Sequence, residues 1–94
     1  MRATLNGILV AESDQTLVVE GNHYFPPISV HWDLLEPSDT RSVCPWKGQA
    51  HYWSVVAADT AGHDVAWSYP SPSEAAQHIA GYVAFWRGVQ VDAS

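Results

Sequence analysis

The chain has 94 residues, 47% apolar and 15% charged, with ten acidic side chains against four Lys and Arg for a formal charge of -6. That length holds one compact domain over 1–94 that buries about 60 to 65% of its unfolded surface. The apolar content and five Trp exclude disorder, because such side chains bury enough area to offset the entropy of ordering.

In chain order the sequence predicts short strands. Asn6-Gly7 between Arg2–Leu5 and Ile8–Ala11 signals a two-residue hairpin, since both residues tolerate the positive φ of a type I′ turn. A turn follows at Glu12-Ser13-Asp14. Gln15–Glu20 and His23–Phe25 then flank Gly21-Asn22 as a second hairpin, stopped by Pro26-Pro27, which removes two ladder donors. Glu36-Pro37-Ser38-Asp39 after Leu34-Leu35 reads as a loop. With Asp59-Thr60-Ala61-Gly62 as a four-residue loop, Val56 faces Val65, Ser54 faces Trp67 and Tyr52 faces Tyr69. One sheet face then gathers Tyr52, Trp67 and Tyr69, and the other a mixed set from His51 to Ser68. Ser71 as N-cap, Pro72 at the first helical position and Glu74 as capping-box partner predict one short helix near 72–80, ended by Gly81. Tyr82–Trp86 resumes as a strand, and Val89–Asp92 adds a short edge strand.

The chemistry-bearing residues concentrate in Thr40–Trp53, which holds the only cysteine, the only lysine and two of the five tryptophans. Pro45 presses Cys44 into an extended conformation, and Gly48 supplies the positive φ that closes a tight turn. Cys44 and Lys47 are candidate catalytic residues, because a nearby cation lowers a thiol pKa; the opposing expectation is a packed Cys44 and a solvated Lys47. Glu20, at the end of the apolar run Leu17-Val18-Val19, is the candidate acid. The five histidines show no spacing that sets two metal ligands side by side, so neither a metal nor a cofactor is expected. Phosphate-loop and nucleophile-elbow motifs do not occur.

Arg2, Arg41, Lys47 and Arg87 are too dispersed to track a phosphate backbone, so nucleic acid is not an expected partner. No long apolar run follows Met1-Arg2-Ala3, and one cysteine closes no internal disulfide; the expectation is a cytoplasmic protein without a membrane span. Oligomeric state is left open.

Glu20 with Tyr24-Phe25-Pro26, Leu34-Leu35-Glu36-Pro37-Ser38, Cys44-Pro45-Trp46-Lys47-Gly48-Gln49-Ala50-His51-Tyr52-Trp53, Ala66-Trp67-Ser68-Tyr69 and Val83-Ala84-Phe85 resemble, through nearly the whole chain, the bacterial family called domain of unknown function 427. The resemblance implies a mainly β single domain of curled antiparallel sheets, similar to methionine-R-sulfoxide reductases and glutathione-dependent formaldehyde-activating enzymes. Those relatives carry zinc on paired Cys-x-x-Cys motifs. One cysteine here supports neither that metal nor a two-cysteine cycle. The chain departs from the family pattern at Trp46, where tyrosine is usual, and at Ile28-Ser29-Val30, which lacks the customary acid before the valine.

Two functions of different class follow. One is a small-molecule-binding module with an aromatic pocket near Tyr24, Cys44, Lys47, Tyr52 and Trp67, with Trp46 as a further wall and Glu20 and Lys47 fixing polar groups. The other is a small enzyme with Cys44 as nucleophile, Lys47 lowering its pKa and Glu20 or Tyr24 handling protons.

Overall fold

In the computed structural model, which describes residues 1–94, the chain is mainly β and contains three antiparallel sheets. Asn6 (φ 50°) and Gly7 (φ 80°) take the two left-handed positions of a type I′ turn. Strands β1 (Arg2–Leu5) and β2 (Ile8–Glu12) therefore pair as predicted, with Leu5 opposite Ile8. The expected edge strand forms β9 (Gln90–Asp92) on the other side of β1. At the expected turn, Ser13 closes the sheet: its amide donates to the Met1 carbonyl (3.0 Å) and its carbonyl accepts from the terminal ammonium (2.8 Å).

The second hairpin, β3 (Leu17–Val19) with β4 (Asn22–Tyr24), is displaced by one residue from the expectation. Its turn residues are Glu20 (φ 52°) and Gly21 (φ 80°), so Gly21 occupies the second left-handed position rather than the first. Glu20 consequently leaves the strand and stands at the turn tip.

The third sheet has the order β5 (Leu35–Cys44), β6 (Gly48–Ala57), β7 (Thr60–Ser68), β8 (Val83–Phe85). Glu36–Asp39, expected as a loop, lies inside β5. Proline is tolerated there because β5 is an edge strand, and the pairing slips between Pro37 and Arg41. Arg41 Nη1 donates to the carbonyls of Ser38 (2.9 Å) and Thr40 (2.8 Å) on its own strand.

The β6–β7 connection is Ala58-Asp59 rather than the four residues expected, since Ala57 pairs with Thr60. A bulge then places Ser54 against His63, Asp64 and Val65, between the pairs Val55–Gly62 and Trp53–Ala66. Tyr52 therefore faces Trp67, two residues from the predicted partner. The displacement is even, so the side-chain face is unchanged.

Other elements pack on both faces of this sheet, leaving part of one face open toward the β6–β7 turn. Ala66, Phe85, Val83, Val55 and Leu35 join Ala3, Leu5, Val10 and Ala11 of the first sheet in the larger core, where Phe25 meets Phe85 edge to face at 5.6 Å. The alternate residues Ala50, Trp67 and Ala84 join Tyr24, Tyr69, Ala76 and Ile79 in a smaller core beneath the β3–β4 hairpin.

The predicted helix is replaced by 3-10 turns over Glu74–Ile79, kinked at Ala76 (φ -113°, ψ 16°). Neither Ser71 nor Glu74 makes the expected cap. The start of the segment is held by the β5–β6 turn: Ser73 N–H donates to the Lys47 carbonyl (2.9 Å), and its hydroxyl donates to the Trp46 carbonyl. The other end is held by β7, where Gly81 N–H, with φ 74° as expected, donates to the Tyr69 carbonyl (3.2 Å).

Gly62 is the residue that lets the bulge lie against the larger core. A Cβ there would sit 2.9 Å from a Val65 methyl and 3.0 Å from a Leu5 methyl, both in buried side chains. Gly62→Ala is expected to cost about 1–3 kcal/mol by overpacking, read as a lower urea midpoint at unchanged m-value.

Candidate functional site

The site begins with the turn Pro45-Trp46-Lys47, closed by the pair Cys44–Gly48. Gly48 takes φ 111°, a conformation that L side chains rarely adopt, and Pro72 and Ser73 backbone atoms lie 3.5 Å from where its Cβ would stand. With its carbonyls tied to Ser73, the turn is fixed from both sides.

Lys47 is a buried cation instead of the solvated residue the alternative reading expected: its side chain is 7% exposed, against 55% for its partner Glu20. Its Nζ donates to Glu20 Oε1 and lies 5.3 Å from the Trp46 ring centre and 5.4 Å from that of Tyr69. Burial alone would lower the Lys47 pKa. The Glu20 hydrogen bond, with the charges of the Tyr24 and Tyr69 phenolates and of Glu20, overrides it and pushes the group up to about 12. The hydrogen bond from Lys47 holds the Glu20 carboxyl below its ordinary value. Burial raises the Tyr69 phenol, against a lowering effect of Lys47.

Beneath this pair lies the aromatic cluster. Tyr24 is fully buried and accepts a hydrogen bond from Trp67 Nε1 (3.2 Å), with the rings edge to face at 6.2 Å and 88°. Cys44 and Tyr52 are half-buried against the cluster, and the Tyr52 hydroxyl meets Ser42 Oγ at 2.7 Å. Trp46 is 40% exposed at the rim. The structure thus gathers Glu20, Trp46 and Lys47 into one contact group and Tyr24, Cys44, Tyr52 and Trp67 into the packing below it. The buried rings fill their space. The molecule's open cavity lies elsewhere, between β5, β6 and β7 at the bulge.

Reading the sequence did not single out Asp64. It is buried in the bulge at φ 51°, and its Oδ2 accepts from Thr40 Oγ1 at 2.6 Å. The hydroxyls of Ser38 and Thr40 hold its carboxyl below the usual carboxylate range, with help from His63 and Arg87. The glycine two residues before it, inside a strand, is the local signal of such a bulge. The histidines are dispersed: His23 Nδ1 meets Thr16 Oγ1 at 2.9 Å, and His31 Nδ1 the Leu9 carbonyl at 3.0 Å.

Three antiparallel sheets in one globule, with a buried lysine–glutamate pair set over an aromatic cluster, define a small mainly β domain. The family model described as domain of unknown function 427 matches residues 1–94, and the chain belongs to that family. No curated protein matches it.

The ion pair sets a pH window. Lys47, raised from 10.5, contributes stability that is complete below its unfolded value and disappears as pH rises to about 12. Glu20, lowered from 4.5, contributes stability present above that value and lost as pH falls through its folded pKa. Chemical unfolding across pH is expected to show Glu20→Gln less stable than the parent in between, because it strands a buried ammonium. The two curves converge at the alkaline end.

Proposed function

We propose that the domain is a small-molecule-binding module whose seat is the rim where Trp46, Lys47 and Glu20 meet, above Tyr24, Tyr52, Trp67 and Tyr69. The observation that carries this reading is a buried ammonium whose carboxylate partner is exposed. Desolvating a charge costs several kcal/mol, and a well-packed apolar residue often stabilises a fold as well as a buried pair does, so stability alone is a poor reason for Lys47 in this turn. A planar ligand bearing a carboxylate lays its ring on the exposed part of Trp46 and replaces Glu20 as counter-ion. Cys44 and Tyr52 flank it.

Pairing of Lys47 with Glu20 favours binding over thiol catalysis, because the cation that would activate Cys44 is already neutralised. No helix is long and apolar enough to cross a membrane. The unpaired thiol supports a reducing cytoplasmic setting, and the charge of -6 supports small ligands over nucleic acid as partners.

Benzoate tests the seat. It raises the melting temperature of the parent chain, by an amount equivalent to about 2.7 kcal/mol at a hundred times its Kd. Glu20→Gln, which removes the internal competitor, binds it more tightly; Lys47→Met loses the response. Cys44→Ser, a near-isosteric change at a half-buried position that only borders the seat, keeps binding within about twofold of the parent. Weaker benzoate binding by Glu20→Gln than by the parent would refute the exchange of counter-ions.

A further inference from the structure

The β3–β4 hairpin stands apart from the rest of the fold. It forms a two-stranded sheet of its own, and two strands alone are marginally stable in water. Its base, where Leu17 pairs with Tyr24, is anchored. The next residue, Phe25, exchanges both backbone bonds with Val83 (2.7 and 2.9 Å), the Tyr24 hydroxyl accepts from the Trp67 indole at 3.2 Å, and Gln15 N–H donates to Ser13 Oγ at 2.9 Å.

Beyond that base, residues 18–23 have little to hold them. None is buried, and Val18, Glu20 and Gly21 are exposed. β3 and β4 bond in ladders only to each other, and the Thr16–His23 contact (2.9 Å) also lies within the hairpin. Strand alternation points Val18 to solvent and leaves Val19 as the tip's apolar contact with the smaller core. Its polar tie to the body is Glu20, bonded to Lys47 with a lesser contribution from the Trp46 indole. Few buried contacts and solvent-exposed backbone bonds mark a segment that opens ahead of the rest of the fold. Lys47 does not follow it, because the Pro45-Trp46-Lys47 turn is bonded to Ser73 through two carbonyls.

We propose that residues 18–23 form a flap that the Lys47–Glu20 bond latches shut, and that a carboxylate arriving at Lys47 opens it. This rests on the reading of Lys47 as the ligand seat and adds how the seat is regulated: Glu20 is an internal carboxylate whose displacement frees the tip. Such a ligand shifts the equilibrium because it binds the open form more tightly, the closed form having Lys47 already paired. Opening withdraws Val19 from the aromatic cluster, so the apolar body of the ligand meets surface that the closed flap covers.

Amide hydrogen exchange of the full chain, followed by NMR, tests the latch without any ligand. Val19 and Asn22 close the tip, while Phe25 and Val83 report the base. Glu20→Asn separates two explanations by sign. Asn-Gly is the strongest type I′ pair, so a tip governed by its turn exchanges more slowly in this variant. Asn is also uncharged and one methylene shorter than Glu, so a latched tip exchanges about tenfold faster, the loss of one hydrogen bond to a charged group. Phe25 and Val83 keep their parent rates. Lys47→Met gives the same acceleration without stranding an ammonium, and decides alone should Glu20→Asn fail to fold. Benzoate then tests the coupling: in the parent it speeds Val19 and Asn22 while raising the melting temperature, and in Glu20→Asn it raises the melting temperature with no further change at the tip. Slower or unchanged tip exchange in the variants, or an acceleration shared by Phe25 and Val83, overturns the flap. A melting shift with an unaltered tip overturns the coupling and leaves the seat standing. No melting shift removes the seat and the coupling with it, while exchange in the variants still decides the latch.

Discussion

A four-stranded sheet with two faces to bury, in a chain of 94 residues, is the constraint from which the remaining structure follows. One face is covered by the β1, β2 and β9 sheet, which supplies much of the larger core. The other is covered at the Tyr24, Trp67 and Tyr69 region by the β3–β4 hairpin and the 3-10 segment, and the length available takes the cover no further. The uncovered stretch of that face, toward the β6–β7 turn, is where the cavity opens.

The Lys47–Glu20 pair sits at the other end of the covered region, by the β5–β6 turn. It joins the tip of one hairpin to the turn of another, 27 residues apart. Each partner sits where backbone conformation permits little choice: Glu20 at positive φ in a type I′ turn, Lys47 beside a glycine at φ 111°. A charge placed by two rigid turns loses little entropy on pairing, which distinguishes it from an exposed ion pair between flexible side chains such as Arg2 and Glu12.

Local chemistry made the first hairpin legible, because Asn6-Gly7 admits one turn type. At Glu20-Gly21-Asn22 the sequence pattern puts the turn at Gly21-Asn22, whereas pairing of Leu17 with Tyr24 puts it at Glu20-Gly21. The aromatic face containing Tyr52 and Trp67 survived an error in loop length because strand periodicity is two. The helix at 72–80 was lost to tertiary bonds: the carbonyls of Trp46 and Lys47 take the hydroxyl and amide of Ser73, and no cap signal within 71–74 anticipates partners from the β5–β6 turn. For the same reason the sequence marks Lys47 as unusual yet pairs it with Cys44, its neighbour in the chain, rather than with Glu20. Asp64 was hidden because a bulge is a property of two strands together.

Strand β5 is ten residues long and has no partner on its outer side, a shape that in many proteins templates the addition of further strands. Here Pro37 removes one amide, the slipped pairing before Arg41 bends the strand, and the Arg41 guanidinium occupies two of the strand's own carbonyls. Those three devices leave an incoming chain a broken row of donors and acceptors. A domain whose core occupies both faces of a single central sheet thereby keeps an exposed edge that is a poor template for fibre growth, protected by a proline, a slipped register and one side chain curled back on its own backbone.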